Sequence, residues 1–134
     1  MRFVDTSYWV ALQAARDERH REAAALWRDQ AKPLITTNQV LGETWTFLRR
    51  AGNHRLAVGF LDRVLALRSL VIHHVDDRLE AEAWSWLRRR DEREYSFVDA
   101  TSFAIMRRLR VREALAFDGD FAAAGFVELR APSR

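Results

Sequence analysis

Met1-Arg2-Phe3-Val4-Asp5-Thr6-Ser7 carries a short apolar run that stops at an aspartate. Arg2 to Val4 reads as a brief buried strand, and Thr6 and Ser7 open a helix directly after Asp5. The same grammar returns late in the chain, where Glu113-Ala114-Leu115-Ala116-Phe117 reads as a strand running into Asp118. Between these points strands alternate with helices. Leu34-Ile35-Thr36 follows Pro33 as a second strand, Leu70 to Val75 is β-branched and reads as a third, and Phe126 to Leu129 is a short fifth. Alternation of this kind predicts a parallel sheet covered on both faces, joined by right-handed crossovers.

The intervening helices have their own signals. Thr6 to Arg16 and Arg19 to Gln30 are separated at Asp17-Glu18, and the second carries Ala23, Leu26 and Trp27 as an apolar stripe. Thr37 or Asn38 caps a helix running to Arg50, with Gly52 as its stop. A further helix spans His54 to Leu67. Asp76 and Asp77 begin the next, and Ser96 caps one reaching Leu109. No linker, repeat or low-complexity tract interrupts the pattern, so residues 1–134 are expected to form one domain.

Composition narrows the function classes. The hydrophobic fraction is 49%, which predicts a folded chain with a sizeable core. Cysteine is absent, which excludes disulfides and zinc–thiolate sites and makes a reducing cytoplasm the expected location. Met1-Arg2-Phe3-Val4 runs at once into Asp5, which does not read as a secretory leader. No apolar run approaches the ~20 residues of a membrane span, so no membrane partner is expected. Net charge is +3 with Lys32 the only lysine, so nearly all positive charge is arginine, the side chain that grips phosphate in a planar fork. Base composition of the genome would give the same bias without any such role.

Five acids stand out against this basic background: Asp5, Glu43, Asp99, Asp118 and Asp120. Asp5 and Asp118 fall at strand ends, and carboxylates at neighbouring parallel strand ends converge on one crevice. Glu43 is expected half-buried at the edge of the apolar face formed by Val40, Leu41, Trp45, Phe47 and Leu48, at about 100° per residue. Asp99 aligns with Phe103 and Met106 within the apolar arc of its helix. Each has an ordinary alternative. Asp5 is a good N-cap, Glu43 could bond locally, Ser96 and Asp99 could form a capping box, and Asp118-Gly119-Asp120 could be a plain turn. What resists those alternatives is that all five fall on one end of one predicted sheet. Gathered like charges repel, and a hard divalent cation such as Mg²⁺ or Mn²⁺ relieves them. The arrangement points to metal-dependent hydrolysis of a nucleic acid.

Phe3-Val4-Asp5-Thr6-Ser7, Asn38-Gln39-Val40-Leu41-Gly42-Glu43, Ser96-Phe97-Val98-Asp99-Ala100 and Ala116-Phe117-Asp118-Gly119-Asp120-Phe121 together resemble the PIN-domain ribonucleases. The nearest subgroup looks like the VapC toxins of toxin–antitoxin pairs, and the resemblance covers essentially the whole chain. It implies a three-layer α/β/α sandwich with a central parallel sheet of about five strands. It also implies Mg²⁺- or Mn²⁺-dependent endoribonuclease activity on structured RNA such as tRNA or rRNA, a homodimer, and a VapB-like cognate antitoxin. Carried onto this sequence, Asp5 and Asp99 look like the main metal ligands, with Glu43 and Asp118 completing the acidic quartet. Asp118 is preferred to Asp120 because it ends the strand, Asp120 assisting or substituting. Thr6 or Ser7 matches the family's polar residue beside the first aspartate and would touch substrate.

Other classes fit less well. Haloacid-dehalogenase-type enzymes need a second Asp where Ser7 stands, and receiver domains need a late-strand lysine, whereas Lys32 precedes Pro33. A non-catalytic PIN-fold binding module and a DNA-directed nuclease are the remaining alternatives. Trp84 and Trp86 lie two apart on one helix and point in different directions, so one of them is expected at a dimer or antitoxin contact. His73 and His74 alternate across a strand and cannot share a metal. Arg88-Arg89-Arg90 ends a helix, where the dipole favours cations.

Overall fold

β1 (Arg2–Val4) is the middle strand of the sheet, and the chain leaves it in one direction before returning to its other side. The elements that follow are α1 (Thr6–Gln13), α2 (His20–Arg28), β2 (Leu34–Thr37), α3 (Asn38–Ala51), α4 (His54–Leu65) and β3 (Leu70–His73). Then come α5 (Asp77–Arg88), α6 (Phe97–Leu109), β4 (Glu113–Leu115), α7 (Asp120–Ala123) and β5 (Val127–Glu128). The computed structural model describes residues 1–132, so the last two residues of the expected 1–134 unit lie outside the described residues.

The five strands are ordered β3-β2-β1-β4-β5 and every neighbouring pair is parallel. Strand order therefore reverses at β1, between β2 and β4. In an open parallel sheet the crevice forms at such a reversal, beyond the carboxyl ends of the strands. Phe3 and Val4 point to opposite faces, yet neither is accessible to solvent. Both faces are therefore covered, and the three-layer α/β/α expectation is borne out.

Two aromatic groups fill the core. Phe121 packs 5.9 Å from Phe3 and 4.9 Å from Phe103, and Phe103 lies 5.2 Å from Trp86, tying α7, β1, α6 and α5 together. Trp9 packs 5.8 Å from Phe60 and 6.1 Å from Trp27, tying α1 to α4 and α2. Among the described residues no helix is long and apolar enough to cross a membrane.

The caps read from sequence are present. Thr37 accepts from the Val40 amide at the start of α3, and Asp76 accepts from Leu79 at the start of α5. Other boundaries moved. α1 stops at Gln13, because Ala14 is extended and the chain turns through Asp17, whose carboxylate takes the Arg19 amide at 2.8 Å. β3 ends at His73 rather than Val75. β4 ends at Leu115 rather than Phe117, since β1 has already given way to α1 and offers no further ladder. α7 was not foreseen, because Asp118-Gly119 reads locally as a turn.

The divergence expected of Trp84 and Trp86 is present. Trp86 is 6% exposed, whereas Trp84 is 49% exposed and stacks 4.4 Å from Phe97. Trp86→Ala should cost about 3–5 kcal/mol of stability by leaving a cavity against Phe103. Trp84→Ala should cost about 1 kcal/mol or less. Urea unfolding followed by circular dichroism separates the two, and equal losses would contradict this packing.

Candidate active site

Asp5 sits immediately beyond β1 and caps α1. Its Oδ2 accepts from the Ser7 amide at 3.1 Å and from the Ser7 hydroxyl at 2.7 Å. Ser7 also accepts the Phe117 amide at 3.0 Å. A side-chain hydroxyl thus replaces the missing β1 backbone at the end of β4 and joins the first acidic motif to the last. Thr6 donates to the Val40 carbonyl at 3.4 Å and accepts from Thr44 at 3.3 Å, docking α1 on α3.

Asp99 is held by a complete capping box. Its Oδ2 accepts the Ser96 amide at 3.0 Å while Ser96 Oγ accepts the Asp99 amide at 2.9 Å. The cap and the site readings are therefore compatible: one oxygen closes the helix start and the other has no hydrogen-bond partner among the described residues. The helix N-terminus itself favours a carboxylate there.

Asp118 lies in the loop after β4, not at the strand end expected of it. Gly119 takes a left-handed conformation, φ +83°, which reverses the chain and starts α7 at Asp120. The loop is held from three directions. Asp118 Oδ1 accepts the Asp120 amide at 3.1 Å, and Glu128 on β5 accepts the Gly119 and Ala122 amides at 3.3 and 3.0 Å. Arg93 donates Nε to Asp120 Oδ1 at 2.6 Å and Nη2 to the Asp118 carbonyl at 3.1 Å. Neither Arg93 nor Glu128 is distinguished in the sequence, since each acts on a loop remote from it along the chain.

Asp99, Asp118 and Asp120 each offer an oxygen, and these lie within 4.8 Å of one another. Asp5 adjoins them closely enough that the charges of Asp118 and, less strongly, Asp99 act on it. Burial pushes the Asp5 carboxyl well above the usual range, with the Asp118 charge adding to the effect. Burial raises Asp99 to about 7, against the pull of its capping hydrogen bonds. Asp118 rises to about 6 through partial desolvation of its carboxyl, with the Asp120 and Glu128 charges adding to it, although the residue as a whole is open to solvent. The cluster thus carries more negative charge than its surroundings balance. Its donors are all hard oxygens, so the residues fit a divalent cation of the Mg²⁺, Mn²⁺ or Ca²⁺ kind.

A crevice of about 570 Å³ meets the cluster at Asp5 and Asp118, and Thr6, Ser7, Glu43 and Phe117 also line it, whereas Asp99 and Asp120 lie outside its lining. Glu43 reaches it from α3 and is exposed, not half-buried as expected. The buried face of α3 is formed by Val40, Thr44 and Leu48, and Phe47, expected on that face, is turned out with Glu43.

Residues 2–127 match the PIN domain. This chain belongs to the PIN domain family. It is 55% identical over 131 residues to the 23S rRNA-specific endonuclease VapC20 of Mycobacterium tuberculosis, in strains CDC 1551 / Oshkosh and ATCC 25618 / H37Rv, covering 97% of this chain and 98% of the relative. The crystal structure of M. tuberculosis VapC20, a sarcin–ricin-loop-cleaving toxin, superposes with a TM-score of 0.94 at 53% identity, covering 98% of this chain and all of that one. The PIN and VapC resemblance read from four short motifs, with the endoribonuclease activity it implies, is borne out. In the PIN frame the tightest carboxylate grouping includes Asp120, which the sequence ranked behind Asp118, and Asp5 stands beside that grouping.

The raised carboxyl pKa values set the pH dependence of the metal-free protein. Below the unfolded aspartate value of 3.8 both states are protonated and no penalty exists. As pH rises towards 7 the unfolded chain ionises freely while the folded cluster resists, so stability falls across that interval. Metal-free protein should therefore melt a few degrees lower at pH 8 than at pH 5. Asp118→Asn should narrow the difference, and excess Mg²⁺ at pH 8 should restore about 2–3 kcal/mol near a hundredfold excess over Kd. Scanning calorimetry in chelator and in Mg²⁺ checks this; a melting temperature that climbs from pH 5 to 8 in chelator would contradict it.

Proposed function

We propose that this chain is the toxin of a VapBC-type pair, cleaving the sarcin–ricin loop of 23S rRNA in the cytoplasm, with residues 1–134 acting as one nuclease unit. The observation that carries the reading is the carboxylate cluster at the strand-order reversal, within a chain so similar to a relative with that named activity. Asp99, Asp118 and Asp120 would hold Mg²⁺, or Mn²⁺ in its place, with Asp5 as a further ligand beside them. Bound there, the ion supplies Lewis-acid polarisation of a phosphate oxygen and lowers the pKa of an attacking water.

The remaining roles belong to the protein. Glu43, exposed on the crevice wall, would orient the attacking water and accept its proton. Ser7 fixes the Asp5 carboxylate and the Phe117 backbone in one geometry. Thr6 lines the crevice where substrate passes. Arg93 and Glu128 hold the Asp118-Gly119-Asp120 loop so that its carboxylates do not splay under their own repulsion.

Purified protein with Mg²⁺ should cut a sarcin–ricin-loop RNA, and chelator should abolish cutting. Asp99→Asn and Asp118→Asn should abolish it while retaining the fold, and Glu43→Gln should lower kcat about 10²- to 10⁴-fold. Full activity in Asp99→Asn, or cutting insensitive to chelator, would overturn the reading.

A VapB-like antitoxin and a second copy of the chain are the protein partners proposed. Trp84, half-exposed and stacked on Phe97, would supply an apolar surface for a dimer or antitoxin contact, the dimer being the one tested first. Trp84→Glu should shift the protein to monomer in analytical ultracentrifugation, and an unchanged dimer would remove this residue from the interface.

A further inference from the structure

The crevice holds two features that the acid chemistry leaves unused. Eleven of the described residues line it, and among these Asp5, Asp17, Glu18, Glu43 and Asp118 are acidic while Arg19 is the one cation. A polyanion entering such a place meets repulsion that one metal site offsets only locally. Arg19 lies on the crevice wall, its guanidinium 5.3 Å from the ring centroid of Phe117, the residue directly before Asp118. Arg130 lies 5.1 Å from the same ring, so two guanidinium groups contact it. Arg19 spends Nη1 on Glu22 at 3.0 Å, and its Nε and Nη2 have no hydrogen-bond partner among the described residues. A guanidinium fixed over an aromatic ring with donors to spare is suited to bidentate capture of a phosphate.

The other feature is Phe47. It is 49% exposed, lines the same crevice and stands one helical turn beyond Glu43 on α3. An exposed aromatic face beside a phosphate-binding group is how proteins receive an unstacked base.

We infer that Arg19 and Phe47 form the nucleotide grip of this crevice, Arg19 taking a backbone phosphate next to the scissile one and Phe47 stacking an extruded base. This rests on the ribonuclease reading and adds to it how substrate is held. The substrate class it selects is RNA whose target nucleotide is unpaired or readily flipped.

Both side chains are exposed, so their variants should fold, with unchanged melting temperature as the control. Arg19→Gln and Phe47→Ala should each raise KM for a sarcin–ricin-loop oligonucleotide about tenfold with kcat within about twofold. Phe47→Trp should restore KM, which a merely structural role would not produce. In chelator, Arg19→Gln should lower the slope of log K against log salt for RNA binding by about 1, and Phe47→Ala should leave it unchanged. Parent protein that cuts normally beside variants with unchanged KM and salt slope would overturn this inference alone. Parent that cuts no RNA would overturn the ribonuclease reading and this inference with it. Phe47→Ala with normal KM but weakened antitoxin association would assign Phe47 to the protein interface and overturn its role here.

Discussion

Mutual repulsion among Asp5, Asp99, Asp118 and Asp120 is the constraint around which the rest of this molecule is arranged. Carboxylates so close, with burial and neighbouring charges lifting the pKa values of Asp5, Asp99 and Asp118, would separate if each were free to rotate. Each is instead tied down: Asp5 as the cap of α1, Asp99 within a capping box, Asp118 by the Asp120 amide in a loop that Gly119 folds back, and Asp120 by the Arg93 guanidinium. The same bonds that start helices also hold like charges at close quarters. That is why the helix-cap and the catalytic readings of these aspartates are one arrangement seen from two sides. The fold gives up stability here, and a divalent cation held by the cluster would restore it.

The last motif shows how much support such a cluster needs. β4 is short because β1 ends early to let α1 begin, and Ser7 closes the gap by accepting the Phe117 amide. Beyond Phe117 the chain has no ladder to follow. Glu128 from β5 and Arg93 from the segment before α6 take its amides, its carbonyl and one of its carboxylates. Below, Phe121 anchors α7 against Phe3 and Phe103, so the loop rests on the core.

Charge is sorted by position. The chain is basic as a whole, while the crevice is acidic apart from Arg19. A basic exterior draws polyanions in, and the acidic floor reserves its affinity for metal. Arg19 over Phe117, with Phe47 on the α3 wall, is the part of the lining suited to a nucleotide.

Much of this was legible in the chain itself. Strand–helix alternation, most caps, and the positions of Asp5 and Asp99 follow from short-range chemistry: apolar periodicity, Pro33 and Gly52 as stops, and the preference of aspartate and serine for helix starts. Such signals act over a few residues and survive without tertiary context. The outward turn of Glu43 and Phe47 did not, because it depends on which face of α3 meets α1, and there Thr44 stands with Val40 in the contact with Thr6. The place of Asp120 in the tightest carboxylate group, its pairing with Arg93 and the clamp by Glu128 were likewise decided by folding. They join residues whose separation along the chain carries no periodic signal. Sequence determined which groups could do chemistry at the strand ends; packing set the distances between them, and those distances govern charge repulsion and metal affinity.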